Sequence, residues 1–165
     1  MKKDRDETME TTAFLADSVI VESQKIYAQG AGWNHLRTTS PFPIRHDRVG
    51  IGIIISVPYT ATNQEHTMEF RLEDDDGNLV ALADAPPGSD AEDGKIRKLG
   101  ANFNVGRPAD LTPGAEQNVP IALNLNNLGF DNPGRYRFVV EIDGSEEATL
   151  PFSVIRVQPQ VTPVG

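Results

Sequence analysis

Pro133-Gly134-Arg135-Tyr136-Arg137-Phe138-Val139-Val140-Glu141-Ile142-Asp143-Gly144-Ser145-Glu146-Glu147-Ala148-Thr149-Leu150-Pro151-Phe152-Ser153-Val154 reads as a β-hairpin. Tyr136, Phe138, Val140 and Ile142 alternate with mostly polar neighbours. Ala148, Leu150, Phe152 and Val154 do the same after Asp143-Gly144, so each strand has one face to bury. In an antiparallel pair, opposed residues have a constant index sum, and the two apolar sets share a face only if that sum is even. A two-residue loop at Asp143-Gly144 gives an odd sum and sets Phe138 opposite Thr149. The parity therefore predicts a three-residue loop, Gly144-Ser145-Glu146, which pairs Ile142 with Ala148, Val140 with Leu150 and Phe138 with Phe152. Gly144 or Ser145 then takes a positive φ. Pro151 cannot donate to a ladder, which places its strand at a sheet edge or turns that nitrogen outward.

Outward from the hairpin, the same alternation recurs. Val49, Ile51, Ile53, Ile55 and Val57 share one parity while Gly50 and Gly52 fall on the other, so this strand faces a core and lets something pack closely over its glycines. Met68, Phe70 and Leu72 make another strand, turned by Asp74-Asp75-Asp76-Gly77-Asn78 into a short strand at Leu79–Leu82. Leu99, Ala101, Phe103 and Val105 follow the long acidic loop 84–94, and Val119, Ile121, Leu123 and Leu125 form a strand that Pro120 pushes to an edge or an outward-facing position. Near the start, 13–21 is apolar at both parities, as in a strand covered on both sides or one that changes sheet. A strand at 25–36 carries glycines where a bulge would sit. No segment has a 3.6-residue apolar period. The expectation is an all-β chain, an immunoglobulin-like or C2-like antiparallel β-sandwich of about eight or nine strands. Residues 12–157 would form one domain, with a mixed-charge tail at 1–11 and a Pro-rich tail at 158–165, both disordered.

The 165 residues suffice for one core, and the absence of cysteine excludes disulfides and thiolate chemistry. A formal net charge of −9 argues against a nucleic-acid backbone or an anionic membrane as partner. No apolar run is long enough for a signal core or a membrane span, so a cytoplasmic protein is expected.

Chemistry is sparse. Asp74-Asp75-Asp76-Gly77-Asn78 has the composition of a calcium loop, but aligning Gly77 with the EF-hand glycine puts Leu72 and Ala83 where carboxylates are required. Calcium held between sandwich loops would use Asp74, Asp75 or Asp76 with Asp84 or Asp90; the competing reading is a turn chosen for backbone geometry. His35, His46 and His66 share no ligand spacing, and solvated strand-end histidines are expected. There is no Gly-x-Ser-x-Gly elbow and no recognisable nucleophile–base pair, so no enzyme is expected. Tyr27, Trp33 and Tyr59 on one exposed face would stack a sugar or another small ligand, although a sandwich tryptophan is more often a core pillar.

The segment Ala13-Phe14-Leu15-Ala16-Asp17 followed by Lys25-Ile26-Tyr27-Ala28-Gln29-Gly30-Ala31-Gly32-Trp33, with the later Pro-Gly-Arg-Tyr-Arg-Phe and Leu-Pro-Phe-Ser-Val, resembles an uncharacterised bacterial β-sandwich family. Its members begin with a Leu-Ala-Asp element and a Lys-Leu-Tyr…Gly-Gly-Gly-Trp strand; Ala31 stands here in place of a glycine. The resemblance spans about 13–157 and implies a small sandwich without an established activity. The functional expectation is a non-enzymatic module acting through protein partners or self-association in a bacterial or phage-related assembly. The alternative is a small-ligand or carbohydrate-binding sandwich, with calcium as its possible cofactor.

Overall fold

The computed structural model describes residues 8–161, which are all-β apart from two short 3-10 turns at Tyr59–Ala61 and Glu92–Gly94. No helix among them is long and apolar enough to cross a membrane. In chain order the strands are β1 (Glu10–Ala16), β2 (Ser18–Glu22), β3 (Lys25–Gln29), β4 (His35–Thr38), β5 (Ile44–Val57), β6 (Glu65–Asp74), β7 (Leu79–Val80), β8 (Ala83–Asp84), β9 (Lys95–Ile96), β10 (Lys98–Asn104), β11 (Gln117–Phe130), β12 (Gly134–Ile142) and β13 (Ser145–Arg156). The thirteen exceed the eight or nine expected because several are two-residue pieces, and because 25–36 is not one strand. Gly30 and Gly32, at φ 64° and 97°, break 25–36 into β3, a turn and β4. β1 begins at Glu10, two residues inside the segment expected to be a tail; 1–7 and 162–165 lie outside the described residues.

Two sheets form the sandwich. One has the order β1-β5-β11, and the other β10-β6-β12-β13-β4, with β7 added to β6. β5 turns Val49, Ile51, Ile53, Ile55 and Val57 inward, all fully buried, against Met68, Phe70 and Leu72 of β6 and Tyr136, Phe138, Val140 and Ile142 of β12. Phe138 stacks on Phe70 and on Phe152, both at 5.2 Å between centroids, so the hairpin supplies the centre of the core. Burying such side chains contributes about 1.5–3 kcal/mol each.

The hairpin register corrects the predicted loop. The turn is the two-residue Asp143-Gly144, with φ 49° and 82°, and Ile142 faces Ser145. Parity is rescued one step later: Glu141 pairs with Glu146 and Val140 with Ala148, leaving Glu147 as an extra residue on β13. Beyond this bulge the index sum is even, as required, but Phe138 faces Leu150 and Tyr136 faces Phe152. A tight turn with the twist that suits a hairpin, followed by a bulge, satisfies both turn geometry and burial. Pro151 shares its parity with Ser153, whose N–H donates to Asn34 O on the β4 side. Its missing donor thus faces away from β12, just before β4 joins β13 in parallel at Ser153–Arg156.

Pro120 lies on β11, an edge strand, as expected. β11 itself runs past Asn126-Asn127 to Phe130. The ladder to β5 is interrupted at Asn127, at φ 56°, and burial passes from Leu125 to Leu128 and Phe130.

The outer face of the larger sheet carries an ion-pair network. Arg71 donates to Glu73 (2.7 Å), Glu141 (2.7 Å) and Glu146 (2.7 Å), and Arg137 donates to Glu73 (2.8 Å). The Glu73 side chain is only 9% exposed. The Arg71 guanidinium, followed by that of Arg137, holds its carboxyl below the usual carboxylate range against the opposing effect of burial.

Candidate functional site

The run apolar at both parities changes sheet at Asp17. β1 pairs with β5, whereas β2 folds over the outer face of that sheet and pairs with β3. Two features seat this hairpin. A Cβ at Gly50 would stand 3.0 Å from Ser18 Cα and from Val19 Cγ2, so the glycine provides the space for β2. Asn124, opposite Gly50 on β11, takes the Val19 N–H on Oδ1 (3.0 Å) and donates from Nδ2 to the Val19 carbonyl (2.7 Å), standing in for a neighbouring strand. At the other glycine of the pair, a Cβ on Gly52 would overlap the Phe14 ring.

Seated in this way, Val19 is buried while the opposite side of β2–β3 is apolar and open. Ile20 is 54% exposed and its cross-strand partner Tyr27 51%; Val21, on the parity of Val19, is 40% exposed. Three of the five exposed large apolar residues among those described therefore sit on ten strand residues. The connecting Ser23 and Gln24 both take positive φ, 49° and 60°, which gives the tight mirror-image turn without glycine.

The three aromatics expected to form a platform do not share a face. Tyr27 is on this hairpin, Trp33 packs edge-on to Phe152 at 6.2 Å, and Tyr59 lies beneath Arg107, whose Cζ is 3.9 Å from the ring centroid. No aromatic pair among the described residues joins them.

The acidic residues separate too. Asp74 closes its own turn, accepting the N–H groups of Asp76 (3.0 Å) and Asn78 (2.8 Å), and the Asn78 N–H bond chiefly holds its carboxyl below the ordinary range. Asp84 pairs with Lys95 across β8–β9, closing the acidic loop at its base; that bond and charge lower the Asp84 carboxyl. Both carboxylates line a cavity of about 340 Å³, whereas Asp75, Asp76 and Asp90 are not among its lining residues. Among the described residues no group of three His, Cys, Asp or Glu is arranged to hold a metal ion.

One histidine overturns its expectation. His66 is 5% exposed, with Nδ1 2.8 Å from Asp143 Oδ2 and Nε2 2.8 Å from the Ala61 carbonyl. Both partners are acceptors, so full satisfaction requires the doubly protonated ring. Burial works against the charge, but the Ala61 carbonyl and the Asp143 carboxylate together raise the His66 pKa above its ordinary 6.5. The Asp143 carboxyl is lowered first by the Thr67 N–H and then by His66. Both ring nitrogens are occupied, so neither is free to take a proton from a nucleophile. The partners are 77 residues apart and have no local signal in the sequence.

No curated protein matches this chain. A solved structure of Pseudomonas fluorescens alkylpurine DNA glycosylase AlkC, bound to DNA containing an abasic site analog, is similar at 10% identity with a TM-score of 0.43. The match covers 88% of this chain and 30% of that one. Over residues 11–155, which include both hairpins and all but the first residue of β1 and the last of β13, the sequence matches a family of unknown function, and the chain belongs to that family, DUF6941.

Proposed function

We propose that the protein is a non-enzymatic binding module that docks onto another protein through its β2–β3 hairpin, as a subunit of a larger assembly. The observation that carries this reading is the pairing of Ile20 with Tyr27 on the open face of a small, outward-lying ribbon, with Val21 exposed beside them on the alternate parity. Leaving that face in water forfeits about 25 cal/mol for each Å² of apolar surface it exposes, which covering it would recover. The occupant is a different protein with an apolar groove rather than a second copy. The 340 Å³ cavity is lined mainly by charged and polar groups, and so does not complement an apolar ribbon. Five residue pairs are also too few for a flat symmetric interface of about 800 Å² per partner.

The test is quantitative co-purification from the native cell, comparing wild type with an Ile20→Ser/Tyr27→Ser double variant whose melting is unchanged, alongside the oligomeric state of the pure protein. Loss of a stoichiometric partner only in the variant is expected. Unchanged recovery of the same proteins would refute the reading. Self-association of the pure protein that the variant abolishes would assign the ribbon to a second copy.

A further inference from the structure

β10 (Lys98–Asn104) closes one side of the larger sheet, and of the edge strands it is the least protected against further pairing. β11 carries Pro120, the other side of the larger sheet carries Pro151 and ends in the four residues of β4, and the Leu15 carbonyl of β1 is taken by the Gly32 N–H. β10 has no proline and pairs with β6 over all seven of its residues without a bulge. Its one charge, Lys98, is turned back over the sheet to Glu69 (2.9 Å).

The ladder fixes which backbone groups of β10 stay open. Thr67 of β6 bonds to Asp143 on the β12 side, its N–H donating to Oδ1 and its carbonyl accepting the Asp143 N–H, both at 2.9 Å. Successive residues of a strand turn to opposite neighbours, so Met68 and Phe70 bond to β10, and their partners Ala101 and Leu99 bond back. The N–H and C=O groups of Gly100 and Asn102 therefore point out of the sheet, and among the described residues no further backbone hydrogen bond reaches them. Gly100, Ala101 and Asn102 are all exposed. Gly100 also has no reason within its own chain. A Cβ there would meet nothing closer than the Met68 carbonyl at 3.8 Å, its φ is not in the left-handed region, and there is no bulge. What remains for a glycine inside a strand is the close approach of another backbone or a ligand.

We infer that the β10 edge pairs with the β10 edge of a second copy, antiparallel about a two-fold axis at Ala101. Among the registers that bring the outward-pointing groups together, this one overlaps the whole strand. It sets Gly100 opposite Asn102 and Lys98 opposite Asn104 of the second copy, each pair exchanging its N–H and C=O groups. On the inner face Leu99 meets Phe103 twice and Ala101 meets its own copy, while no like charges oppose each other. Leu99 and Phe103 are half-buried against the core, so the pairing would extend that core from one molecule into the next. The β2–β3 ribbon lies over the smaller sheet, and the two contacts are independent. The contact is one strand deep and each chain carries a formal net charge of −9, so the dimer is a weak one.

Sedimentation equilibrium of the pure full chain is expected to show a monomer–dimer equilibrium with a Kd on the order of 100 μM. Amide exchange should protect Gly100 and Asn102 in a concentrated sample and not in a dilute one, with Leu99 and Ala101 protected in both. Gly100→Pro removes an outward donor without touching the ladder to β6 and should abolish the dimer. Ala101→Lys and Ala101→Glu each place like charges face to face at the axis and should weaken the dimer by roughly fivefold, whereas an equimolar mixture of the two should restore it. Ala101 is exposed, so these variants test the inference even if Gly100→Pro fails to fold. A wild type that is monomeric at about 1 mM, a dimer indifferent to these substitutions, or a mixture no tighter than either variant alone would overturn it. Protection of Gly100 and Asn102 that arises only with a co-purifying protein would overturn it too, and would assign the edge to that protein.

Discussion

Replacing Asp143 with Asn separates the charge of the His66 clamp from its shape. Asn tolerates the left-handed conformation, φ 49°, and Asn-Gly is the preferred pair for this turn, so the hairpin itself is undisturbed. The amide oxygen can still accept the Thr67 N–H, now taken by Asp143 Oδ1 at 2.9 Å, but this leaves its NH₂ facing His66 Nδ1. At low pH that NH₂ meets an N–H, and both the ion pair and the bond are lost. A hydrogen bond to a charged group is worth about 1.5–3 kcal/mol; with Asp143 46% exposed, screening brings the expected cost to about 1–2 kcal/mol. For a chain of this length that is a fall in Tm of a few degrees.

The pH dependence carries a definite sign. A group whose folded pKa is raised contributes stability that is fully present below its unfolded value, here 6.5, and lost as pH rises through the folded value. Wild type should therefore lose stability from about pH 6.5 upward, each unit of separation being worth about 1.4 kcal/mol. In the variant the neutral ring can accept from the amide at Nδ1 while Nε2–H still donates to Ala61. The penalty of the substitution should consequently shrink toward zero by about pH 9. Urea unfolding of both proteins at half-unit steps from pH 6 to pH 9 measures this directly, and the difference between them cancels whatever the two proteins share. A penalty that is constant or grows with pH would refute the doubly protonated clamp.

Asn124→Ala should cost about 1–3 kcal/mol in denaturant unfolding, because it strips the partners from the Val19 N–H and C=O at once. Hydrogen exchange should then show the β2–β3 amides opening well before those of β12. Gly50→Ala should destabilise by about 1–3 kcal/mol, because the Ser18 backbone stands as close as the Val19 side chain and cannot swing away; an unchanged midpoint would mean that β2 is not seated there. Gln24→Gly should raise stability by about 0.5–1 kcal/mol by relieving a left-handed non-glycine residue in the turn, read as a higher urea midpoint with the same slope. Phe138→Ala should cost about 3–5 kcal/mol, since the side chain is fully buried between Phe70 and Phe152.

What could be read from the sequence is what period two encodes. The alternation in β5, β6, β12 and β13 revealed which side chains face inward, and the parity argument correctly demanded an even index sum across the hairpin body. It failed on the loop because a bulge changes parity at the cost of one residue, and Glu147 has no property that marks it as that residue. The interruption at Asn127 hid the end of β11 in the same way: the apolar period breaks between Leu125 and Leu128 although the strand does not. Pairings between distant polar groups leave still less trace. Arg71 with Glu141, His66 with Asp143 and Asn124 with Val19 are separated by 70, 77 and 105 residues, and each side chain alone looks like an ordinary surface residue of a strand or turn.

Gly50 shows where the two kinds of information meet. A glycine on the outward parity of a buried strand signals that something must lie over it, and the sequence carries that much. What lies there is β2, and the identity of β2 follows only from the change of sheet at Asp17, which a run apolar at both parities allows but does not specify. Once β2 is seated, its pleat leaves no freedom in the next step: with Val19 buried against the sheet, Ile20 must point the other way, and its partner Tyr27 with it. The open apolar face of the ribbon is thus the geometric complement of the glycine cleft beneath it. Any substitution that lifts β2 from Gly50 should weaken partner binding in proportion to the loss of hairpin protection, and Asn124→Ala, which touches no exposed apolar residue, is the variant that can separate this coupling from direct contact.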